Sequence, residues 1–250
     1  MVERVFIQKK NGEFVSVNGY AAWHGFDQKA FPITFFEWPQ LRDGQLDLTP
    51  NTLVVGGVAT VLHALKRLGK DTPPIDYPES LRPFLGREMQ PTTMGAVRGM
   101  YEAEGSPPRF VKPRQTQKAF TGYVVSAFLD LIPTARHPDD LPVWSCETVE
   151  FVSEWRYFVL RNAVIGVGHY RGDVFTRPDT ETVRAAVEAF KGESPAACAI
   201  DFGVTCDGRT LLVEVNDAYS LGHLGLRSVQ YVNMLEARWV ELMTTRSNAV

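Results

Sequence analysis

The stretch Cys198-Ala-Ile-Asp-Phe-Gly-Val-Thr-Cys-Asp-Gly-Arg-Thr-Leu-Leu-Val-Glu-Val-Asn216 reads as a β-hairpin with three oxygen ligands on one face. Asp207-Gly208 is a two-residue turn signal between two alternating runs. With that turn, Cys206 faces Arg209, Val204 faces Leu211, and Asp201 lies directly opposite Glu214. Asn216 follows Glu214 by two residues and so points to the same face. Ala199 and Leu212 are expected on that face too, while Cys198, Ile200, Phe202, Val204, Leu211, Val213 and Val215 form a core face. Two carboxylates directly opposed on a sheet repel each other. Holding them there beside an amide oxygen points to a cation site, and an all-oxygen set with few protein ligands suits Mg²⁺. The competing reading is a solvated polar face, because alternation alone turns polar residues outward.

A second hairpin precedes the first. Arg161-Asn162 is a turn signal between Glu154–Leu160 and Ala163–Arg171. In the simplest register Glu154 faces His169, Arg156 faces Val167, and Arg171 lies beside Val152, so that Glu154, Arg156, His169 and Arg171 share one end of one face. Two arginines beside one carboxylate leave a positive site for phosphate or carboxylate oxygens, which arginine forks bind bidentately. The alternative is a surface charge ladder of small energetic worth.

Further upstream, Lys112 ends the short strand Arg109–Pro113, and the loop Arg114-Gln-Thr-Gln-Lys-Ala-Phe-Thr-Gly122 follows, with Lys118 placed to close over phosphates. A lysine reaches phosphate as a point charge. Strands are also expected at Phe120–Val125 and Pro142–Val149, and a helix capped by Asp179 and running to Lys191. The chain closes with a helix from Arg227 to Thr244. This mixture argues α+β. The first part reads as a small α/β unit, with strands at Arg4–Gln8, Phe31–Trp38 and Thr52–Gly57, then a helix bearing Val58, Val61, Leu62, Leu65 and Leu68. A Pro-rich connector, Asp71–Pro83, follows it, and Thr92 or Thr93 caps a helix running to Glu104. The aromatic segments Tyr20–His24 and Phe35–Trp38 read as core, or as the lining of an acceptor pocket.

Composition bounds the function. The 250 residues carry a net charge of −3, with 44% hydrophobic and 22% charged residues, which is ordinary for a globular chain and disfavours extended nucleic-acid binding. No apolar run has the length of a membrane span, and the N-terminus does not read as a signal peptide. Cys146, Cys198 and Cys206 cannot all pair with one another, so reduced thiols in a cytoplasm are expected. The five histidines show no zinc spacing. Walker A, kinase and dinucleotide fingerprints are missing; Val55-Gly-Gly57 reads as a tight strand-to-helix turn. The sequence shows no repeat, and oligomeric state is not legible in it.

The order of these pieces resembles the ATP-grasp superfamily: strand lysine, loop, a strand leading into a Glu-containing hinge, a Glu-x-Arg strand, an Asp strand, then Glu-x-Asn. The resemblance covers about residues 107–226. Tyr77–Arg87, Lys118–Gly122 and Glu214–Gly222 are similar to a bacterial and viral clade marked by two arginines and a lysine. The resemblance implies an ATP-grasp domain over residues 107–250, with its C-terminal helix, preceded by an α/β pre-ATP-grasp domain over residues 1–106. Lys112 would hold the α and β phosphates. Glu147, Val149, Glu150 and Phe151 would form the hinge reading adenine, and Glu154 would bind the ribose. Asp201, Glu214 and Asn216 would hold one or two Mg²⁺ ions. Arg156 and Arg171 match the clade's paired arginines; one or the other would neutralise the transferring phosphoryl group or orient the substrate carboxylate, and Lys118 would help to close the loop over the phosphates. The covering loop is usually glycine-rich, whereas Gln115–Lys118 is not.

The implied activity is ATP- and Mg²⁺-dependent joining of a carboxylate to an amine through an acyl phosphate, on an amino acid, peptide or protein. Two rivals remain at this point: a nucleotide-binding module without turnover, and an ATP-dependent phosphotransferase.

Overall fold

The computed structural model describes residues 1–72, 74–102, 105–114 and 119–245. Lys118 and the other residues of the 115–118 stretch lie outside the described residues, as does the Glu104 end of the expected helix.

The N-terminal part forms a sheet around β1 (Arg4–Lys10), which pairs in parallel with β3 (Ile33–Glu37) and β4 (Thr52–Val55) and antiparallel with the two-residue β2 (Glu13–Phe14). Helices α1 (Val17–Gln28), α2 (Trp38–Arg42) and α3 (Val58–Arg67) connect these strands. Helix α1 is not expected from sequence. Its glycines lower helix propensity, but packing requires the one at Gly25. A Cβ at Gly25 would strike the Ser228 carbonyl of the C-terminal helix, whereas one at Gly19 would make an ordinary 3.5 Å contact with the Phe14 ring.

The middle sheet runs β5 (Gln90–Thr93), β8 (Pro142–Glu147), β6 (Arg109–Pro113) and β7 (Tyr123–Val125), all antiparallel. Thr93 caps α4 (Met94–Met100), its hydroxyl accepting the Ala96 N–H at 3.3 Å. The third sheet runs β10 (Ala163–Gly172), β9 (Phe151–Leu160), β11 (Ala197–Thr205) and β12 (Thr210–Asp217). Its central strand β11 is buried along its whole length, because helices cover both faces. Cys198, Ile200 and Phe202 pack with α5 (Thr180–Phe190). Ala197 and Ala199 join the core that α6 (Ser228–Thr244) builds with the N-terminal sheet. Asp201 continues this second face just beyond that core.

Helix α6 is fastened to β12 by a fork. Arg238 donates from Nε to Asp217 Oδ1 at 2.7 Å and from Nη2 to Oδ2 at 2.6 Å, and from Nη1 to Glu241 at 2.7 Å. Asp217 is 8% exposed. Removing one partner of a buried pair strands the other charge, so Arg238→Met is expected to lower stability by about 3–5 kcal/mol. A urea midpoint within error of wild type would contradict this.

Both hairpins deviate from the simple register. At the 198–216 hairpin the turn takes three residues, Cys206–Gly208, with the Thr205 N–H donating to the Arg209 carbonyl at 3.0 Å and Gly208 at φ +83°. Val204 therefore faces Thr210 and not Leu211. A bulge at Val213 shifts the register back, and Asp201 does face Glu214. The bulge also turns Leu212 into the α5 core beside Phe202, correcting its expected place on the ligand face. Arg87 secures the bulge by donating to the carbonyls of Leu212 at 2.9 Å and Val213 at 3.2 Å.

At the second hairpin Arg161 and Asn162 form the turn, both with positive φ. Bulges at Ile165 and Tyr170 then pair Glu154 with Arg171, Arg156 with Gly168, and Trp155 with His169. His169 is thus removed from the expected cluster. It lies on the opposite face, edge-on to Trp155 at 4.9 Å.

Candidate active site

Glu214 stands where three clefts between the sheets meet. Its Oε2 lies 3.3 Å from Lys112 Nζ, and its Oε1 accepts from Asn216 Nδ2 at 3.1 Å. Burial alone would raise its carboxyl, but Lys112, Asn216 and Arg156 together hold it below the usual glutamate range. For Lys112, burial works against the charge, and Tyr77, Glu214 and Asp76 outweigh it, holding the ammonium above the usual lysine range.

The first cleft, about 220 Å³, contains Lys112, Glu214, Asn216 and the Thr121-Gly122 end of the covering loop. Here the structure adds a residue that sequence reasoning missed. Asp76, in the Pro-rich connector at φ +50°, reaches Lys112 Nζ at 3.4 Å and accepts the Trp144 indole N–H at 2.9 Å. A lone aspartate in a polar connector carries no sequence signal. Burial raises its carboxyl above the ordinary range, against the pull of Lys112 and Trp144.

A second cleft, about 280 Å³, brings together Glu147, Val149, Phe151, Glu154 and Arg171, with Tyr77 and Arg87 on its wall. Glu150 is exposed and does not line it. Gly203 is also required, because a Cβ there would collide with the Phe151 ring. Arg171 is half out in solvent and pairs with Glu154 at 2.7 Å.

The third cleft, about 470 Å³, opens toward the N-terminal sheet and contains Arg156, Tyr170, Glu214 and Asn216. Arg156 is buried and holds Asp201 as a fork, Nε to Oδ1 at 2.8 Å and Nη2 to Oδ2 at 2.6 Å. The two arginines therefore do not share one unneutralised site: each has its own carboxylate. Burial lifts Asp201 to about 6 in spite of that fork.

Among the described residues, no three His, Cys, Asp or Glu side chains cluster for a metal. The candidate set is instead two carboxylates and an amide. Asn216 Nδ2 now donates to Asp201 at 3.0 Å and to Glu214 at 3.1 Å. A half-turn of its carboxamide presents Oδ1 to the same point, giving three oxygens of the hard type that Mg²⁺ takes. These residues fit the ion.

A family model described as an ATP-grasp domain, family 2 of the clade named for two arginines and a lysine, matches residues 84–234, more than half of the chain. This chain belongs to that clade of ATP-grasp proteins. The ATP-grasp fold, α+β with several sheets, extends over nearly the whole chain. It is similar to a D-alanine–D-alanine ligase from Bacillus anthracis at 14% identity and a TM-score of 0.59, covering 97% of this chain and 98% of that one. It is similar to a D-cycloserine synthetase at 13% identity and a TM-score of 0.61, covering 94% and 99%. An L-amino acid ligase from Bacillus licheniformis aligns at 12% identity and a TM-score of 0.52, covering 97% and 74%. At such identities the likeness shows the fold. No curated protein matches this ATP-grasp chain in sequence. Among its described residues no helix is long and apolar enough to cross a membrane.

Proposed function

We propose that the chain is an ATP- and Mg²⁺-dependent carboxylate–amine ligase working through an acyl phosphate. The observation that carries this reading is Glu214, one carboxylate bordering all three clefts. A nucleotide lying along the second and first clefts would present its terminal phosphate to the third, beside Arg156.

In this reading Glu147, Val149, Glu150 and Phe151 read the base, Glu150 through backbone groups only. Glu154, oriented by Arg171, meets the ribose. Lys112 exchanges its carboxylate contacts for phosphate oxygens. Asp201, Glu214 and Asn216 would hold Mg²⁺, which neutralises charge on the β and γ phosphate oxygens. A substrate carboxylate oxygen attacks the γ-phosphorus, the bond to the β–γ bridging oxygen breaks, and ADP leaves. An amine then attacks the acyl carbon, loses a proton, and expels inorganic phosphate. Arg156 stabilises charge in the first step through the edge of its guanidinium that faces the cleft. Catalysis here is positioning and charge neutralisation. Lys118 is assigned to loop closure over the phosphates. The two-unit division at residues 106 and 107 belongs to the same proposal. Sheet membership supports an earlier passage, in the connector, because Gln90–Thr93 pairs with Pro142–Ser145.

Incubation with ATP, Mg²⁺ and pooled amino acids and peptides is expected to release ADP and phosphate and to yield a dehydrated conjugate by mass. A stable product heavier by one phosphate would make the chain a phosphotransferase. ATP-dependent thermal stabilisation without ADP from any pool would make it a binding module.

A further inference from the structure

The third cleft has a chemistry that narrows its substrate. Its walls are preformed. Ser220 Oγ donates to the Gly56 carbonyl at 2.9 Å, Asn18 Oδ1 accepts the His223 N–H at 3.0 Å, and the Tyr231 hydroxyl donates to the Leu221 carbonyl at 2.9 Å. The N-termini of α1 and α3 open at this wall, through Ser16 and Gly57, and neither helix has a side-chain cap. Arg156, 6% exposed, spends Nε and Nη2 on Asp201. Among the described residues its Nη1 has no hydrogen-bond partner, and it approaches the bare Cα of Gly222, where an added Cβ would sit 3.7 Å away. A buried cationic donor and two helix N-termini converge on one cleft, which favours an anion.

The same cleft offers little to a cation. Among the described residues lining it, Glu214 is the one carboxylate, engaged here by Lys112 and Asn216 and, in the ligase reading, by Mg²⁺ once nucleotide draws Lys112 away. A free amino acid would therefore bury its α-ammonium without a partner, which is costly. At its outer end the cleft passes Val15 and Gly19 and meets an aromatic shelf. Phe14 packs on Gly19 and holds Tyr20, Trp23 and Phe35 at ring-centroid distances of 5.8, 5.9 and 5.8 Å, with Lys9 Nζ 4.1 Å from the Phe35 ring centre. Tyr20 is 53% exposed, Phe35 42% and Val15 48%. Isolated exposed apolar residues are ordinary, but a contiguous set running into a cleft marks a binding surface.

We propose that the carboxylate substrate is a peptide carboxylate without a nearby free ammonium, whose flanking apolar or aromatic side chains lie on the Phe14–Tyr20–Phe35 shelf while the carboxylate reaches Arg156 Nη1. This rests on the ligase reading for the cleft's role, but its test is by binding.

Calorimetric titration of the full chain with ADP and Mg²⁺ present would use phenylalanine, N-acetylphenylalanine, N-acetylphenylalanine amide, and two acetylated tetrapeptides, Phe-Tyr-Leu-Ala and Ser-Ser-Ser-Ala. N-acetylphenylalanine should bind at least tenfold tighter than either phenylalanine or the amide, and the aromatic peptide at least tenfold tighter than the serine one. Tyr20→Ala with Phe35→Thr should erase the aromatic preference alone. Gly222→Val, which fills the space before Nη1 without backbone strain, should weaken all the carboxylates and leave ADP affinity unchanged. The proposal is overturned if phenylalanine binds as well as its acetyl form, if the aromatic peptide gains nothing over the serine one, or if the shelf variant instead abolishes a self-association of the wild-type chain. Binding as expected without any ADP released from ATP in the presence of hydroxylamine would sustain this substrate assignment and defeat the ligase reading.

Discussion

Glu214→Gln is expected to lower ADP formation by at least about 10²–10³-fold, the usual cost of removing one preorganised electrostatic group, while the protein stays folded. The substitution preserves shape, and the amide oxygen can still accept from Asn216. Lys112 keeps Asp76 at 3.4 Å, so its ammonium is not stranded. What disappears is the one negative charge that all three clefts share, and with it the strongest oxygen donor for a divalent ion. Far-UV circular dichroism and the thermal midpoint should match wild type closely, and ADP release under saturating ATP should approach background. Undiminished ADP formation in the folded variant would remove Glu214 from the chemistry, and the ligase proposal with it.

The Asp201–Glu214 opposition expected from the Asp-Gly turn and the alternation of both strands is present, although neither signal holds in detail. The register near the turn was not legible. Two errors of one residue cancel, one from the three-residue turn and one from the Val213 bulge, and the bulge depends on Arg87, over a hundred residues upstream. His169 shows the opposite outcome. Its hairpin turn was readable, but the bulge at Ile165 moves the histidine to the far face, and alternation has no means of announcing a bulge. Helix α1 was hidden because its two glycines lower local propensity, and one of them, Gly25, serves the close approach of Ser228. Asp76 was hidden for a related reason: its role exists only once the connector crosses the end of β6. In the candidate site, the Asp201–Glu214 pair and Lys112 were readable, and what bulges and the connector contribute was not.

Lys112→Met should remove nucleotide affinity by at least tenfold and also destabilise the chain by about 3 kcal/mol near neutral pH, because two carboxylates lose the cation between them. The sign with pH follows from the groups involved. In the wild type Lys112 helps hold Glu214 below its ordinary range, a contribution present above the unfolded pKa of Glu214 and lost as the pH falls through its folded one. In the variant Asp76 and Glu214 face each other across a buried gap with no ammonium between them, so both carboxyls rise. Raised carboxyls cost nothing below their unfolded pKa values and destabilise progressively as the pH climbs through the folded ones. The difference between variant and wild type should therefore be small at pH 4 and large at pH 7.5 in urea titrations. Millimolar Mg²⁺ should restore part of the loss at pH 7.5, since an ion that binds only the folded carboxylates stabilises by mass action. A loss that is the same at both pH values and indifferent to Mg²⁺ would make Lys112 a packing residue whose charge does nothing for the site.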